Sequence, residues 1–243
     1  MSVPRSVYRR VPRRIPHSLG FSRYCLKFDP ALSQYVDLGD VLDMGTVDFV
    51  LEAWFKTTST GTWRSMIRKR RTGPNPGYEL GIANNDQIYA FAHDGSNTAM
   101  VYDGVGGFND GKWHHVIAVF DRDDVISLYL DGELMNTASM ATVGNLDNDE
   151  ILSVGSERGV DCFWDGCIDE VRIYRGRTMT LSEVRHNLLN YHNPVRDGLV
   201  LWLPMEEGEG TTVHDVSGHG NDGTIHGATW TRVKMWELRA SIL

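Results

Sequence analysis

The sequence predicts an all-β chain of two packed antiparallel sheets, with one short helix near residues 180–190. Three observations predict it. Short alternating runs recur from residue 23 to 175, clusters of Gly, Asp and Asn punctuate them, and no helical period intrudes before residue 180. The 243 residues, 41 % hydrophobic and 23 % charged, can bury a sizeable core without disulfides or metals. No apolar run approaches the ~18 residues needed to span a membrane.

Residues 1–22 form a basic, Pro-rich arm. Arg9, Arg10, Arg13 and Arg14 stand beside Pro4, Pro12 and Pro16, and residues 1–23 hold six arginines and no acid. The whole chain carries −8, so the remainder carries −14. Proline at this density excludes a long helix, and the scattered apolar residues form no signal-peptide core. A solvated tail and an arm ordered against an acidic neighbour both fit, as does an organelle transit peptide. The acidic body makes a second subunit a natural dock. Nucleic acid is disfavoured, because only Tyr8 interleaves the arginines and no basic fold follows.

The body follows as "RYCLKF", "QYVDLG", "VDFVLEAWFKT", "WRSMIRKR", "GYELGIA", "QIYAFAHD", "KWHHVIAVFD", "DVISLYLDG" and "DEILSVGS". Period two puts Phe49, Leu51, Ala53 and Phe55 on one face, and Ile126, Leu128 and Leu130 on another. "NND" (84–86), "NDGK" (109–112) and "LDGE" (130–133) mark turns. "RSMIRKRR" (64–71) reads as a hairpin of like charges, a solvated edge that blocks sheet-to-sheet pairing. "TLSEVRHNLLN" (180–190) is the helix, with Thr180 as cap and Glu183 as its box partner. Cys25, Cys162 and Cys167 match no zinc spacing and read as buried thiols, with a Cys25–Cys167 bridge open but unsupported.

Two stretches carry a family resemblance. "DGKWHHVIAVFDRDDVISLYLDGELMNT" joins a Trp-His strand to a hairpin ending in Leu-Asp-Gly, and "GCIDEVRIYRGRTMTLSEVRHNL" joins a terminal strand to a short helix. Both closely resemble laminin-G-like, concanavalin-A-like domains over roughly residues 23–231. The resemblance implies a jelly-roll sandwich that serves in carbohydrate binding, adhesion or virion and appendage parts, often with a structural calcium ion. It implies too that Trp113 is a buried anchor. The expected organisation is the arm, a jelly roll over 23–231 and a tail over 232–243.

Within the jelly roll, 23–193 form the body. The stretch "GLVLWLPMEEGEGTTVHDVSGHGNDGTIHGATW" (198–230) looks like the family's first segment, displaced behind the terminal helix. Residues 194–231 can fold back on their own domain, insert into a neighbour, or begin a truncated repeat. Leu199, Leu201, Leu203 and Met205 share a face by alternation and need a cover.

Alternation places Asp169 on the core face with Val171 and Ile173, where an ionised carboxylate needs a metal or several donors. The loop offers Asp215, Asn221 and Asp222 with free carbonyls, oxygen donors that suit calcium. By the resemblance, Asp169, Asp215 and Asn221 would share one structural Ca2+; a hydrogen-bonded Asp169 without metal fits equally. Zinc through His214, His219 and His226 is disfavoured by their irregular spacing.

His114 and His115 point to opposite strand faces and cannot act together. The family hydrolases' Glu-x-Asp-x-x-Glu strand and the Gly-x-Ser-x-Gly elbow are both absent. The expectation is therefore not an enzyme. Trp63 and Tyr102, with Asn97 on a nearby turn, are the candidates for a glycan platform. A surface fold beginning at Met1 without a visible secretion signal fits a structural or decoration component of a virion, phage particle or filament, homo-oligomeric or docked to neighbouring subunits. A free carbohydrate-binding or adhesion module is the alternative, and a glycoside hydrolase a distant third.

Overall fold

The computed structural model describes residues 23–233. Arg9, Arg10, Arg13 and Arg14 of the arm, and nearly all of the expected tail, lie outside the described residues. Strands β1 (Arg23–Phe28), β2 (Tyr35–Asp37), β3 (Phe49–Lys56), β4 (Arg64–Lys69), β5 (Gly77–Ile82) and β6 (Ile88–His93) come first. They are followed by β7 (Thr98–Tyr102), β8 (His114–Phe120), β9 (Val125–Leu130), β10 (Glu133–Ser139), β11 (Ser153–Val154) and β12 (Gly166–Arg175). After helix α1 (Leu181–Leu189) come β13 (Leu199–Leu203), β14 (Thr212–Val213), β15 (Gly223–His226) and β16 (Thr229–Val233).

These strands form two antiparallel sheets, as the alternation predicts. The first has the order β10-β9-β8-β3-β12-β1-β16, with β13 also on β12; the second runs β14-β15-β2-β11-β4-β5-β6-β7. Phe49, Leu51, Ala53 and Phe55 meet Tyr78, Leu80, Ile88 and Ala90 in the core between the sheets, joined by Ile126, Leu128 and Leu130. Asp131 and Gly132, with φ of 49° and 82°, close β9 onto β10 as a two-residue turn. Left-handed values at both positions match the strands' own twist, which is why "LDGE" is read correctly from sequence.

Helix α1 starts at the expected cap. Glu183 N–H donates to Thr180 Oγ1, and Thr180 N–H donates to Glu183 Oε2. The helix lays Val184 on Val50, Ile117 and Tyr174, and Leu188 beside Trp54 and Trp113, on the face of the first sheet away from the core. Trp113 is buried there.

The C-terminal segment pairs within its own chain. Leu203 faces Val171 and Leu201 faces Ile173, while β15 pairs with β2 and β16 with β1. Strand β12 is paired along one edge by β3, so its other edge is divided between β1 and β13. Leu201, Leu203 and Met205 enter the core as alternation predicts. Leu199 does not: the register slips between Ile173 and Tyr174, and Leu199 packs with Val50, Ile117 and Trp202 on the outer face.

A second slip overturns the expected orientation of Asp169. The β12–β3 ladder is interrupted between Asp169 and Arg172, where Glu170 takes the left-handed value φ 51°. The extra residue restores Val171 and Ile173 to the core beside Ile168. Asp169 thereby faces outward, opposite Trp54. A strict count of two across a bulge inverts the face of every residue before it.

Arg172 is fully buried on that outer face. Its guanidinium donates to Glu52 on β3, to Glu170 on β12 and to the Tyr191 carbonyl after α1, and lies 5.3 Å from the Trp202 ring of β13. Glu52 also accepts from Asn187 Nδ2 of the helix at 2.7 Å and contacts His115 Nε2 at 3.0 Å. Burial alone would raise the Glu52 carboxyl, but Arg172, His115 and Asn187 outweigh it and hold it below the ordinary value.

Two outcomes follow from this arrangement. Deleting residues 195–243 opens the edge of β12 and uncovers Trp202's neighbours, and the remainder is expected to lose its cooperative unfolding transition by circular dichroism. Because Glu52 is depressed when folded, its contribution is complete above the unfolded value of about 4.3 and lost as pH falls below it. The urea midpoint is expected to fall steadily from about pH 5 to about pH 3, and a flat profile would contradict the assignment.

Candidate ligand-binding face

The second sheet turns one face to the core, and the opposite face carries a cavity. Alternation on β5 sends Tyr78 and Leu80 inward and Glu79 outward. The register sets Glu79 between Arg68 of β4 and Phe91 of β6, and Phe91 next to Met100 of β7. A cavity of about 560 Å³ lies over these residues, walled by Trp63, Tyr89, Asn84, Asp161 and Cys162.

Its floor is a paired charge cluster. Arg68 bonds Glu79 Oε1 and Glu157 Oε2, both at 2.8 Å, and Arg70 Nη1 bonds Glu79 Oε2 at 3.1 Å. Ser65 and Tyr89 hydroxyls also donate to Glu79. Thr72 N–H donates to Glu157 at 2.7 Å, which with Arg68 outweighs burial and holds Glu157 below the ordinary carboxylate value. Burial, then Glu79, push the Tyr89 phenol well up, so it stays a donor.

The basic stretch 64–71 is therefore not a solvated edge. Strand β4 lies between β11 and β5, and Arg68, Lys69 and Arg70 are only 3 %, 0 % and 9 % exposed. Acids from distant segments neutralise them, which no local pattern reveals. Lys69 Nζ is held by Asp40, by Asp43 at 3.2 Å and by the Glu150 carbonyl at 2.7 Å.

Over this floor stands a half-buried aromatic rim. Trp63 meets the Tyr89 ring edge-on at 5.0 Å, and Arg70 Cζ lies 4.3 Å from the Phe91 ring centre. Arg70 Nε is buried with no hydrogen-bond partner. The cavity thus offers apolar ring surface beside the Arg70 guanidinium.

Of the sequence candidates, Trp63 lines the cavity. Tyr102 lies next to it on the edge strand, 6.3 Å from Tyr89 ring to ring. Asn97 does not take part. Its backbone N–H and side-chain amide both donate to Asp94, closing the β6–β7 turn, and they hold the Asp94 carboxyl low against the effect of burial. Sequence reading missed Arg68, Arg70, Glu79 and Phe91. Alternation in "GYELGI" could have placed Glu79 outward, but Asp161 and Cys162 arrive from a distant loop without a local signal.

The expected calcium set is not assembled in the way alternation suggested. Asp215 Oδ1 accepts from Trp202 and Ser217 N–H at 3.0 and 2.9 Å, and Oδ2 from Asn221 N–H at 3.0 Å. Asn221 Nδ2 donates to the Val200 carbonyl. These bonds dock the loop on the edge of β13, whereas Asp169 stands on β12 with Oδ1 accepting from Glu170 N–H. The carboxylate already does the loop-closing work of an ion, so the residues do not fit one shared by Asp169, Asp215 and Asn221. Among the described residues, potential ligand trios converge at Glu157–Asp161–Cys162 and at Glu170–His192–Glu206.

Residues 30–185 match the family described as the concanavalin A-like lectin/glucanases superfamily, Laminin_G_3. This chain belongs to that superfamily. The resemblance carried by the Trp-His hairpin and the terminal strand is thus borne out, and the laminin-G-like jelly roll with it. Among curated proteins, the superfamily chain is 24 % identical over 167 residues to a non-toxic nonhemagglutinin of Paraclostridium bifermentans. The match takes 65 % of this chain and 13 % of that protein, so the chain spans about an eighth of its relative's length.

Two solved structures show the same fold. A candidate carbohydrate-binding protein from Bacteroides ovatus superposes with a TM-score of 0.69 at 17 % identity, over 88 % of this chain and 60 % of that one. A heptameric SAP-like pentraxin from Limulus polyphemus gives 0.53 at 11 % identity, over 70 % and 83 %. No helix among the described residues is long and apolar enough to cross a membrane.

Glu79 provides the test of the floor. Glu79→Ala leaves Arg68 and Arg70 buried without their shared partner and is expected to cost about 3–5 kcal/mol in urea unfolding. A loss below about 1 kcal/mol would show that the cluster is not what holds this face together.

Proposed function

We propose that this chain is a non-enzymatic, glycan-binding module whose site is the outward face of its second sheet. The observation that carries the reading is the juxtaposition there of half-exposed Trp63 and Phe91 with the Arg70 guanidinium over a neutralised floor. A sugar ring presents apolar C–H faces and hydroxyls on its rim, and this cavity presents the complements of both. Asn84 and Asp161 at the wall add a polar side for hydroxyl groups. Membership of a lectin-bearing superfamily supports the same reading.

The acids of this face argue against hydrolysis. Glu79 and Glu157 are each engaged by arginine and by hydroxyl donors, which leaves neither placed to exchange a proton with a glycosidic oxygen. The particle-component reading rests on the arginine arm, outside the described residues. The sheet face is the better-supported site.

A glycan array probed with the full chain identifies a ligand, and titration by tryptophan fluorescence measures it. Trp63→Ala and Phe91→Ala are each expected to weaken binding about tenfold or more, the effect of roughly 1.4 kcal/mol, with the melting temperature little changed. Asn97→Ala is expected to leave affinity unaltered. Glycan binding insensitive to both aromatic substitutions, or none on the array, would overturn the proposal.

A further inference from the structure

On the outer face of the first sheet, far from the glycan face in the fold, two thiols lie side by side. In the β1–β12 ladder Lys27 faces Cys167 and Leu26 faces Ile168, so Cys25 and Cys167 share a face on a cross-strand diagonal. Both belong to the cluster of Trp54, Trp113, Leu188 and Tyr191. Their environments differ. Cys25 is fully buried, whereas Cys167 is half-buried at the margin of the cluster.

Cys167 is flanked by lysine on both sides. Lys27 stands directly opposite it on β1, and Lys56 directly opposite it on β3. Directly paired residues share a sheet face, so two ammonium-bearing side chains border one accessible sulfur. Positive charge beside a partly exposed thiol favours attack by its thiolate. Cys25 is held protonated: its hydrogen bond to Cys167, then burial and the nearby Asp169 carboxylate, push its thiol far above the ordinary range against the pull of Lys56. One sulfur is thus placed to attack and the other to remain protonated until its neighbour has reacted.

We propose that Cys167 and Cys25 form a redox-active dithiol, with Cys167 as the attacking sulfur and Cys25 as the resolving one. The oxidant is a small-molecule disulfide. The Cys167 thiolate attacks one of its sulfurs, forming a mixed disulfide and expelling one thiolate. Cys25 then gives up its proton and attacks Cys167 Sγ, expelling the second thiol. The net change is one small disulfide reduced to two thiols and two cysteines joined. The bond staples β1, which carries the N-terminal arm, to β12, the strand that also holds β13.

The test incubates the full chain, unreduced by additives, with glutathione disulfide and follows intact mass and peptide maps. The expected product has lost two hydrogens, carries no adduct, joins the peptides of Cys25 and Cys167, and melts several degrees higher. Cys25→Ser is expected to stop at a glutathione adduct on Cys167. Cys167→Ser is expected to give no bridge and an unreacted Cys25, and Cys162→Ser to leave the bridge intact. Should a serine variant fail to fold, timed alkylation of the wild type decides: Cys167 is modified before Cys25, and its modification blocks bridging. A wild type that stays reduced, or ends as a mixed disulfide at Cys167, overturns the proposal.

Discussion

The Arg172 guanidinium is the point at which the outer face of the first sheet is tied together. It lies wholly buried and reaches β3 through Glu52, its own strand through Glu170, and the turn after α1 through the Tyr191 carbonyl. The Trp202 ring of β13 covers it, and Trp202 Nε1 donates to Glu170 at 2.7 Å. Segments from four parts of the chain are therefore tied to one side chain. A buried cation with fixed acids is tolerant of little else: taking away any partner leaves charge in a place where water cannot screen it. Specific geometry, more than net stability, is what such a group supplies.

The Glu170 bulge belongs to the same constraint. By placing one residue in the left-handed region it turns the Glu170 carboxylate to meet Arg172 and Trp202, and it returns Val171 and Ile173 to the core. It also divides the other edge of β12 between β1 and β13, so that the first strand and a strand of the C-terminal segment lie against one strand. The C-terminal segment is in this way part of the core. Its Asp215 acts as a loop organiser through three backbone N–H groups, a role in which a carboxylate substitutes for further chain pairing.

The two sheets divide the chemistry. On the first, α1 and Trp202 pack on the outer face. On the second, no helix covers the outer face among the described residues, and paired charges stand in for a hydrophobic lid. Arg68, Glu79, Arg70 and Glu157 neutralise one another, so the face can be partly dry and still present polar atoms. That balance leaves the aromatic cleft over a floor whose charges are paired.

The sequence by itself determined the strands, the "LDGE" turn, the Thr180 cap and the laminin-G-like family, because each rests on residues a few positions apart. It also singled out Trp63, an aromatic at a strand entrance that lines the cavity on the second sheet. Only the tertiary structure decided the face of Asp169 and of Leu199, since each depends on a register slip that partner strands impose. The same holds for the 64–71 stretch, whose charges read as solvated until Glu79 and Glu157 arrive from elsewhere in the chain. Local spacing fixes which way a strand alternates. Where a strand slips, and which distant charge meets which, is set by packing.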